Sequence, residues 1–490
     1  MCVPVCAKDF AALGHACRRA SEFADIVELR LDCLESDDFA APLAELLARL
    51  SIPLILTCRP SEQGGYRDLS LQQREAFWNT DFQTLCDVEA DLVSAIAVDR
   101  SRMIVSHHDF KRVPDDLELI YERLAATPAR IVKIAVQAND ITDCLRIFKL
   151  LDRARKQERE LIAIAMGNAG IATRILGPSR GAYLTYGSLE DGSETAPGQV
   201  NARELRSVYH IDKISNETMI CGLVGMPVMH SVSPHMHNAA FAAEGSDGVY
   251  LPLEVRDIET FVKRMAHPST RELDWNLRGL SVTAPHKSSV LGLLDWVAKD
   301  AQEIGAVNTV VVEGQRLLGY NTDVAGLIEP LLERVGSVNG LSVAVLGAGG
   351  AARAAVWVLK RHGARLRLFS RTRPNAEKIG QEFDIPFEPL SAGSFRDYDV
   401  VINATPLGSG PFIRHAPAVI EQLGGAGLVY DLIYNPIETE LLKQARAAGC
   451  QTLGGLPMLV AQARRQFELW TGKTPSSDLM HNAAAAALRR

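Results

Sequence analysis

Residues 343–353 read Val-Ala-Val-Leu-Gly-Ala-Gly-Gly-Ala-Ala-Arg, an apolar run followed by glycines and then by a helical pattern that extends to Lys360. Strand, glycine turn and helix in this order are what a dinucleotide site requires. Gly347 would make the turn, Gly349 would let the backbone approach a pyrophosphate, and Ala352 would fill the third small position. The stretch therefore predicts a Rossmann-type nucleotide-binding domain.

The strand expected next, Arg365–Phe369, is followed by Ser-Arg-Thr-Arg at 370–373 rather than by Asp or Glu. An acidic residue there would bind the ribose 2′-hydroxyl of NAD, whereas arginine favours the 2′-phosphate of NADP. The predicted cofactor is NADP, and the alternative for Arg371 and Arg373 is an ordinary solvated loop. The cofactor-binding candidates in this region are Gly347, Ala348, Gly349, Gly350, Ala351, Ser370, Arg371 and Thr372.

Short, nearly continuous apolar runs recur along the first 190 residues. They are Val3–Ala7, Ile26–Leu31, Leu54–Arg59, Leu85–Ala90, Met103–His108, Ile131–Val136, Leu161–Met166 and Ala182–Gly187. Continuous apolar runs indicate strands covered on both faces, and therefore parallel strands. Helical spacing in the intervals, as in Asp115–Ala126 and Ile141–Lys156, suits parallel crossovers. Eight such units predict an α/β protein that begins with a (β/α)8 barrel.

The composition restricts the class of partner. The 490 residues correspond to roughly three structural units at about 150 residues each. The 52 basic and 59 acidic residues leave a net charge of −7, which lacks the electrostatic footprint of a general nucleic-acid binder. No apolar run approaches the ~20 residues that span a bilayer, and the N-terminus does not support plastid import. We expect small-molecule partners and no membrane association.

The nine cysteines are odd in number and scattered along the chain. They lack the paired spacing that zinc sites and disulfide frameworks use. Their distribution therefore predicts no metal site, no disulfide framework and a reducing, cytoplasmic location.

Polar residues fall at the ends of the predicted barrel strands, where barrel enzymes place their chemistry. Lys133 lies within the run Arg130–Val136, and a lysine among apolar neighbours has its ammonium form disfavoured, which makes the amine nucleophilic. Schiff-base chemistry with a ketone is its natural use, and His108 could act as the general acid/base. A Lys133 side chain that points outward along a helix is the alternative.

Several motifs in this half resemble type I 3-dehydroquinate dehydratase in order and spacing, over about residues 1–210. They are Glu28-Leu-Arg30, Thr57-Cys-Arg59, Ser106-His-His-Asp-Phe110, Val132-Lys-Ile-Ala135, Met166-Gly167 through Thr173-Arg174, and Ala196-Pro-Gly-Gln199. The resemblance implies that Lys133 is the Schiff-base nucleophile and that His108 is the general acid/base. It also implies a set of residues that hold the substrate hydroxyls and carboxylate, namely Glu28, Arg30, Arg59, Arg174, Thr195 and Gln199.

One position departs from the family. The family usually has a glutamate before the paired glycines, where it orients the catalytic histidine, whereas this chain reads Glu62-Gln63-Gly64-Gly65. An amide can accept a hydrogen bond from imidazole but cannot stabilise imidazolium as a carboxylate does. We expect dehydration with a shifted pH profile or a lowered rate, unless Glu62 takes the role.

In the second half, Lys287 follows a strand-like run and Asp323 lies just before the nucleotide motif. The two could form an acid/base pair in which the carboxylate holds the ammonium. Taken singly, each is more often a surface charge. The combination of motifs around them changes this interpretation.

These motifs resemble shikimate dehydrogenase from residue 219 to residue 480. They are Gly225-Met-Pro227, His230-Ser-Val-Ser-Pro234, Val282-Thr-Ala-Pro-His-Lys287, Gly305-Ala-Val-Asn308, Asn321-Thr-Asp323, Asn403-Ala-Thr-Pro406, Tyr430-Asp431 through Tyr434, and Gly455 through Gln462. By this resemblance Lys287 and Asp323 are the catalytic pair. The residues implied to bind shikimate are Ser231, Ser233, Thr283, Asn308, Tyr434 and Gln462, and those implied to lie against the nicotinamide are Thr405, Leu432 and Gly455.

The resemblances imply three domains: a dehydratase barrel over 1–213, a substrate domain over 219–325 completed by 456–490, and a nucleotide domain over 326–455. A helix is predicted over Val200–Tyr209, followed by a polar connector over His210–Glu217. The fused order resembles the bifunctional plant enzymes, which implies dehydration of 3-dehydroquinate to 3-dehydroshikimate and then reduction with NADPH to shikimate.

Two alternatives stay open. The first is an NAD-dependent quinate/shikimate dehydrogenase with an impaired dehydratase half, which Arg371 and the paired serines Ser231 and Ser233 disfavour. The second is a non-catalytic sensor of pathway metabolites. A sensor would be expected to have lost the four catalytic candidates, all of which this chain keeps: Lys133, His108, Lys287 and Asp323.

Overall fold

The computed structural model describes residues 1–36, 39–80 and 82–489. Its strands are β1 (Cys2–Cys6), β2 (Ile26–Arg30), β3 (Leu54–Thr57), β4 (Leu85–Glu89), β5 (Met103–Asp109), β6 (Ile131–Gln137), β7 (Leu161–Met166), β8 (Gly187–Ser188), β9 (Val200–Asn201), β10 (Met219–Gly225), β11 (Gly248–Glu254), β12 (Leu277–Val282), β13 (Trp296–Val297), β14 (Thr309–Glu313), β15 (Arg316–Tyr320), β16 (Ser342–Leu346), β17 (Arg365–Ser370), β18 (Phe387–Pro389), β19 (Val400–Asn403), β20 (Leu428–Asp431) and β21 (Gln451–Leu453).

The α-helices are α1 (Phe10–Ala20), α2 (Ala40–Arg49), α3 (Leu71–Trp78), α4 (Leu117–Ala125), α5 (Cys144–Lys156), α6 (Ile171–Leu176), α7 (Ala202–Ser207), α8 (Ser233–Ala243), α9 (Ile258–Phe261), α10 (Lys299–Ile304), α11 (Asp323–Val335), α12 (Gly350–Arg361), α13 (Arg373–Phe383), α14 (Ile420–Leu423), α15 (Glu440–Ala447), α16 (Leu456–Thr471) and α17 (Ser477–Ala487). Among the helices described, none has both the length and the apolar character needed to cross a membrane.

The chain divides into two compact units. Unit 1 comprises Met1–His230 and Asp247–Leu277, and unit 2 comprises Ser231–Ser246 and Arg278–Arg490. The three domains expected from the sequence were defined by function rather than by compactness, and they stay a prediction.

In unit 1, β1 to β7 form one parallel sheet in chain order, as the continuous apolar runs predicted. The eighth expected strand, Ala182–Gly187, is less regular. Tyr183 N donates to Leu161 O on β7 at 2.8 Å, and Cys2 N on β1 donates to Thr185 O at 2.8 Å. This segment therefore lies between the first and last strands and closes the barrel, with only Gly187–Ser188 forming a strand as β8.

Two sequence expectations in unit 1 were wrong. The helix expected over Val200–Tyr209 begins later, because Val200–Asn201 pairs with β8 and the Asn201 side chain accepts from Arg203 N at the start of α7. The cysteine pattern predicted no disulfide, yet Cys6 and Cys33 are bonded, with Cα atoms 5.5 Å apart. Cys6 ends β1 and Cys33 closes the turn after the adjacent β2, so parallel pairing brings together two residues 27 positions apart.

Unit 2 contains the predicted nucleotide-binding sheet. Six parallel strands follow the spatial order β18-β17-β16-β19-β20-β21, which is the 3-2-1-4-5-6 order of a doubly wound fold. The turn after β16 requires a glycine, since Gly347 has φ +115° and a Cβ there would lie 2.7 Å from Ala404 O. The same unit holds the antiparallel strands β12, β14 and β15.

Candidate active sites

The barrel interior of unit 1 has an apolar layer beneath a polar one. The apolar layer consists of Ile26, Ile55, Ile104, Ile131 and Ile162. Side chains two positions further along a strand face the same side of the sheet. Four of those positions are polar, Glu28, Thr57, Ser106 and Lys133, and the fifth is Ile164. The strand register sets Ser106 beside Lys133 and Thr57 beside Asp87, so polar groups far apart in sequence meet in one layer.

Lys133 points into the barrel, which excludes the outward-pointing alternative. It lines a cavity together with Glu28, Arg59 and His108. Its Nζ donates to Asp87 Oδ2 at 2.6 Å and lies 3.7 Å from Glu28 Oε1. Two carboxylates therefore accompany the apolar neighbours of this lysine: Glu28, which the sequence placed in the site, and Asp87, which it did not.

His108 lines the same cavity and is held by Arg59. The Arg59 Nη1 atom lies 3.0 Å from His108 Nδ1, and because a guanidinium only donates, Nδ1 accepts this hydrogen bond. Phe110 stacks on the imidazole with ring centroids 6.2 Å apart. Burial, with the nearby cations Arg59 and Lys133, holds the pKa of His108 well below its ordinary value. The neutral imidazole, which is the form that can accept a proton, is therefore favoured.

Gln63 stands where the dehydratase family usually has glutamate, but its side-chain oxygen makes no hydrogen bond to His108 Nδ1. Its Oε1 atom is buried and has no hydrogen-bond partner among residues 1–36, 39–80 and 82–489. Glu62 is exposed. The orienting contact on His108 therefore comes from Arg59 in this chain.

We expect Gln63→Glu to move the acidic limb of the dehydration rate to higher pH. A carboxylate beside His108 would stabilise imidazolium and raise its pKa by about 1 to 3 units, so the neutral base would be lost at a higher pH. The measurement is the pH profile of kcat for the wild type, Gln63→Glu and the control Glu62→Gln. Identical profiles for all three proteins would contradict a role for this position.

The remaining substrate candidates of the barrel also meet in the cavity. Arg174 is buried and donates to the carbonyls of Tyr186 at 3.5 Å and Pro197 at 3.1 Å, and no described carboxylate pairs with it. Burial lowers the pKa of Arg174 to about 10. A buried, uncompensated guanidinium is costly, and an anionic ligand would relieve that cost. Arg174 therefore suits a carboxylate.

The other candidates have partners of their own. Arg30 Nε and Nη2 donate to Asp32 at 3.0 and 2.7 Å. Glu28 accepts from Thr57 Oγ1 at 2.5 Å. Gln199 Oε1 accepts from Thr195 N at 2.9 Å. All six substrate candidates of the barrel line the cavity: Glu28, Arg30, Arg59, Arg174, Thr195 and Gln199.

In unit 2, four predicted residues form one hydrogen-bonded group. Lys287 Nζ donates to Asp323 Oδ2 at 2.5 Å. Asn308 Nδ2 lies 2.8 Å from Asp323 Oδ1 and 3.1 Å from Gln462 Oε1. Gln462 on α16 can approach because Gly326 on α11 has no side chain. A Cβ on Gly326 would lie only 2.9 Å from the Gln462 Cβ. An ammonium and a carboxylate are thus held together at the edge of solvent, where proton transfer can occur.

A second group in unit 2 contains further shikimate candidates. Ser231 Oγ donates to Ser233 Oγ at 3.0 Å, and the Tyr434 hydroxyl shares a hydrogen bond with Ser231. Burial raises the pKa of Tyr434, so its hydroxyl stays protonated and can donate. Thr283 is half-buried directly after β12, four residues before Lys287. Hydroxyl groups of this kind suit a polyhydroxylated ligand.

The nucleotide candidates surround the glycine turn. Beyond the adjoining backbone, no atom of the described residues lies within 4 Å of where a Cβ would stand on Gly349 or Gly350, so the first turn of α12, which includes Ala351, is open to a phosphate. A Cβ on Gly347 would lie 3.2 Å from Thr405 N, and one on Gly455 would lie 2.4 Å from Leu432 O. The open space at Gly349 and Gly350, directly after Ala348, suits a bound dinucleotide.

The end of β17 carries the residues that were predicted to select NADP. Ser370 Oγ accepts from Thr372 N at 3.1 Å, which orders the turn after the strand. Arg371 is exposed and has no described carboxylate beside it. Its guanidinium is therefore available to a 2′-phosphate.

Sequence reasoning missed several residues of the sites. Asp87 was one, although it is a charged residue inside the apolar run that became β4, the same signal that drew attention to Lys133. Asp431 was quoted within a motif but given no role, and its Oδ1 accepts from Asn403 Nδ2 at 2.9 Å. Asn403 Oδ1 in turn accepts from Thr405 N at 2.9 Å, which positions a nicotinamide candidate.

Comparisons with known protein families agree with this division of chemistry. The type I 3-dehydroquinase family matches residues 1–216, the shikimate dehydrogenase substrate binding domain matches 223–310, and the shikimate 5′-dehydrogenase C-terminal domain matches 455–485. These matches confirm the predicted fold class.

Two relatives match along nearly the whole chain. A chloroplastic bifunctional 3-dehydroquinate dehydratase/shikimate dehydrogenase of Arabidopsis thaliana is 32% identical over 98% of this chain and 83% of its own length. The shikimate biosynthesis protein AroDE of Chlamydia pneumoniae is 30% identical over 96% of this chain and 95% of its own length. A shikimate 5-dehydrogenase of Thermus thermophilus, solved with NADP(H) and shikimate, is 35% identical with a TM-score of 0.50, over 55% of this chain and all of that one.

Proposed function

The chain belongs to the bifunctional 3-dehydroquinate dehydratase/shikimate dehydrogenase family, and we propose that the two clusters described above perform its two consecutive reactions. The first reaction dehydrates 3-dehydroquinate to 3-dehydroshikimate, and the second reduces 3-dehydroshikimate to shikimate with NADPH. The observation that carries the assignment is the presence of two complete clusters in one chain, Lys133 with His108 in unit 1 and Lys287 with Asp323 in unit 2.

In the first reaction, the Lys133 amine attacks the ketone carbon of 3-dehydroquinate. The C–N bond forms, the former carbonyl oxygen leaves as water, and a protonated imine remains on Nζ. This cation accepts the electron pair when the neighbouring C–H proton is removed, and the β-hydroxyl then leaves as a second water. Hydrolysis of the imine releases 3-dehydroshikimate and restores the lysine.

His108 moves the protons of this reaction. Its neutral form can take the proton from carbon, and the resulting imidazolium can protonate the departing hydroxyl. To accept at Nε2, the ring must carry its own proton on Nδ1, which requires Arg59 to turn from Nδ1 when substrate binds. Arg174 holds the substrate carboxylate, while Glu28, Arg30, Thr195 and Gln199 bind its hydroxyls.

In the second reaction, bound NADPH supplies a hydride. Lys287 protonates the ketone oxygen of 3-dehydroshikimate as it becomes a hydroxyl, and Asp323 holds the ammonium in place. Asn308 orients Asp323 by a hydrogen bond to Oδ1, and Gln462 in turn accepts from Asn308. Shikimate hydroxyls and carboxylate are bound by Ser231, Ser233, Thr283 and Tyr434.

The domain boundaries belong to the same proposal: a dehydratase over 1–213, a shikimate-binding domain over 219–325 with 456–490, and an NADP-binding domain over 326–455. A cytoplasmic location, activity without a metal ion and the lack of nucleic-acid partners also stay predictions from the sequence. Unchanged rates of both reactions in a chelator would support the second of these.

A coupled assay tests the proposed function. The full chain is given 3-dehydroquinate and NADPH, and absorbance is followed at the enone band of 3-dehydroshikimate and at the nicotinamide band. We expect 3-dehydroshikimate to appear before NADPH is consumed. If reduction occurs only with added 3-dehydroshikimate, the first site is inactive and the protein is a one-step dehydrogenase. Gln63→Glu would then be the first substitution to test for recovery of dehydration.

The proposed phosphate contact of Arg371 makes a separate prediction. We expect Arg371→Ala to raise the KM for NADPH about 10- to 100-fold, because a charged hydrogen bond contributes roughly 1.5 to 3 kcal/mol. The KM for NADH should change little. The matched control is Arg361→Ala, which removes another exposed arginine of the proposed NADP-binding domain, one that pairs with Glu303. Equal losses with both cofactors would exclude 2′-phosphate recognition by Arg371.

A further inference from the structure

The immediate surroundings of Lys133 Nζ contain a carboxylate to which no role has yet been given. Asp87 is fully buried on β4, and its Oδ2 lies 2.6 Å from Nζ and 2.7 Å from Arg59 Nη2. The Tyr186 ring also faces Nζ, with its centroid 4.5 Å away. The nitrogen that would form the Schiff base therefore has both a carboxylate and an aromatic face beside it.

The charge on Nζ changes during the proposed reaction. The amine must be neutral when it attacks, yet the imine that follows must be protonated to accept electrons from the neighbouring carbon. A cation inside a barrel pays a large desolvation cost unless an anion is adjacent. A permanent anion at hydrogen-bond distance from Nζ would stabilise the imine in its protonated form.

Asp87 meets this requirement better than Glu28 does. Glu28 Oε1 is 3.7 Å from Nζ and already accepts from Thr57, whereas Asp87 Oδ2 is at hydrogen-bond distance. Arg59 pairs with Asp87 independently of Lys133, so the carboxylate keeps a cationic partner while Nζ is neutral. Burial alone would raise the pKa of Asp87, but Arg59 and Lys133 together hold that pKa well below its ordinary value.

We propose that Asp87 is the counter-ion of the protonated imine on Lys133, and that it sets the pH range over which the imine stays protonated. This inference rests on the proposed dehydratase function. The other ionisable groups that surround the pair are Cys2, Glu28, Arg59, Glu89, His108 and Tyr186. Asp87 and Glu28 are the acidic ones within 4 Å of Nζ in the described chain.

The test compares Asp87→Asn with Asp32→Asn in the full-length protein. Both residues are fully buried and both pair with an arginine of the site, but Asp32 contacts Arg30 and not Lys133. The first readout is the alkaline limb of kcat for dehydration without NADPH. The second is the fraction of protein whose imine is trapped by borohydride at each pH, measured as intact mass.

We expect Asp87→Asn to move both profiles to lower pH by about 1 to 3 units, because loss of an adjacent opposite charge lowers the pKa of a cation by that amount. Asp87→Glu should restore part of the shift. Asp32→Asn should raise KM and leave the limb in place. A lower kcat in Asp87→Asn with unmoved profiles would show that Asp87 only supports the fold.

Two further outcomes are distinguishable. If the wild type forms no borohydride-trapped adduct at all, the dehydratase assignment itself fails. If Asp87→Asn does not fold, as judged by its melting curve, the smaller neutral variant Asp87→Ser takes its place, since it leaves room for water beside Arg59. An unmoved profile in a folded Asp87→Ser variant overturns the proposal in the same way.

Discussion

Replacing Lys133 with alanine is expected to lower kcat for dehydration of 3-dehydroquinate by about 10⁴- to 10⁶-fold, the loss that removal of a catalytic nucleophile causes. The reason is chemical, since Nζ is the amine that faces the cavity beside His108 and no other lysine lines that cavity among the described residues. The enone band should not appear, and borohydride with substrate should leave no adduct on the variant.

Reduction of added 3-dehydroshikimate by Lys133→Ala should proceed at the wild-type rate, because the reducing cluster consists of unit 2 residues. Lys8→Ala is a suitable control, since its side chain is 81% exposed and pairs with Glu35 at the surface. Dehydration that survives in Lys133→Ala would mean that the first reaction does not pass through an imine on this residue.

The complementary change, Lys287→Ala, is expected to lower kcat for reduction of 3-dehydroshikimate by about 10²- to 10⁴-fold, the usual contribution of a positioned general acid. In the coupled assay, 3-dehydroshikimate would accumulate while NADPH is spared. Asp323→Asn should have a smaller effect in the same direction, because Asn308, itself hydrogen-bonded to Gln462, would still hold the side chain near Lys287.

Measuring kcat and KM separately for Lys287→Ala distinguishes a role in proton transfer from a role in substrate binding. A loss confined to KM would assign Lys287 to substrate binding alone, whereas equal losses in kcat and kcat/KM indicate a contact made in the transition state. Lys299→Ala is the matched control, a lysine at the start of α10 in the same unit. An unchanged kcat in Lys287→Ala would remove it from the proton-transfer step.

Much of the fold followed from local patterns. The apolar runs marked β1 to β7 to within a few residues, because a strand covered on both faces must be apolar throughout. Gly347 was identified from the order of strand, glycine turn and helix, and its positive φ in the structure is one that a glycine adopts without strain. The closing segment was less predictable, since residues 182–186 are held by contacts to Leu161 and Cys2 rather than by a pattern of their own.

Some residues of the two sites were likewise predictable from the sequence, and others were not. Lys133 and Lys287 were found from the residue type and its position after or within a strand. Their partners were visible only in part: Asp323 came from a motif, but nothing in the sequence paired Lys133 with Asp87, 46 positions earlier. The sequence placed Gln63 at the position from which the family orients the catalytic histidine, whereas in the structure Arg59 donates to His108 Nδ1.

By itself, therefore, the sequence determined the class of fold and predicted NADP as the cofactor, because periodicity, glycine requirements and charged strand ends are local properties of the chain. The two kinds of chemistry were implied by the resemblance of its motifs to two enzyme families. Only the tertiary structure decided which groups share a proton or a charge, and which thiols bond: Asp87 with Lys133, Arg59 with His108, and Cys6 with Cys33. Those pairings depend on the register between strands and on the closure of the barrel, which bring together residues that no local pattern connects.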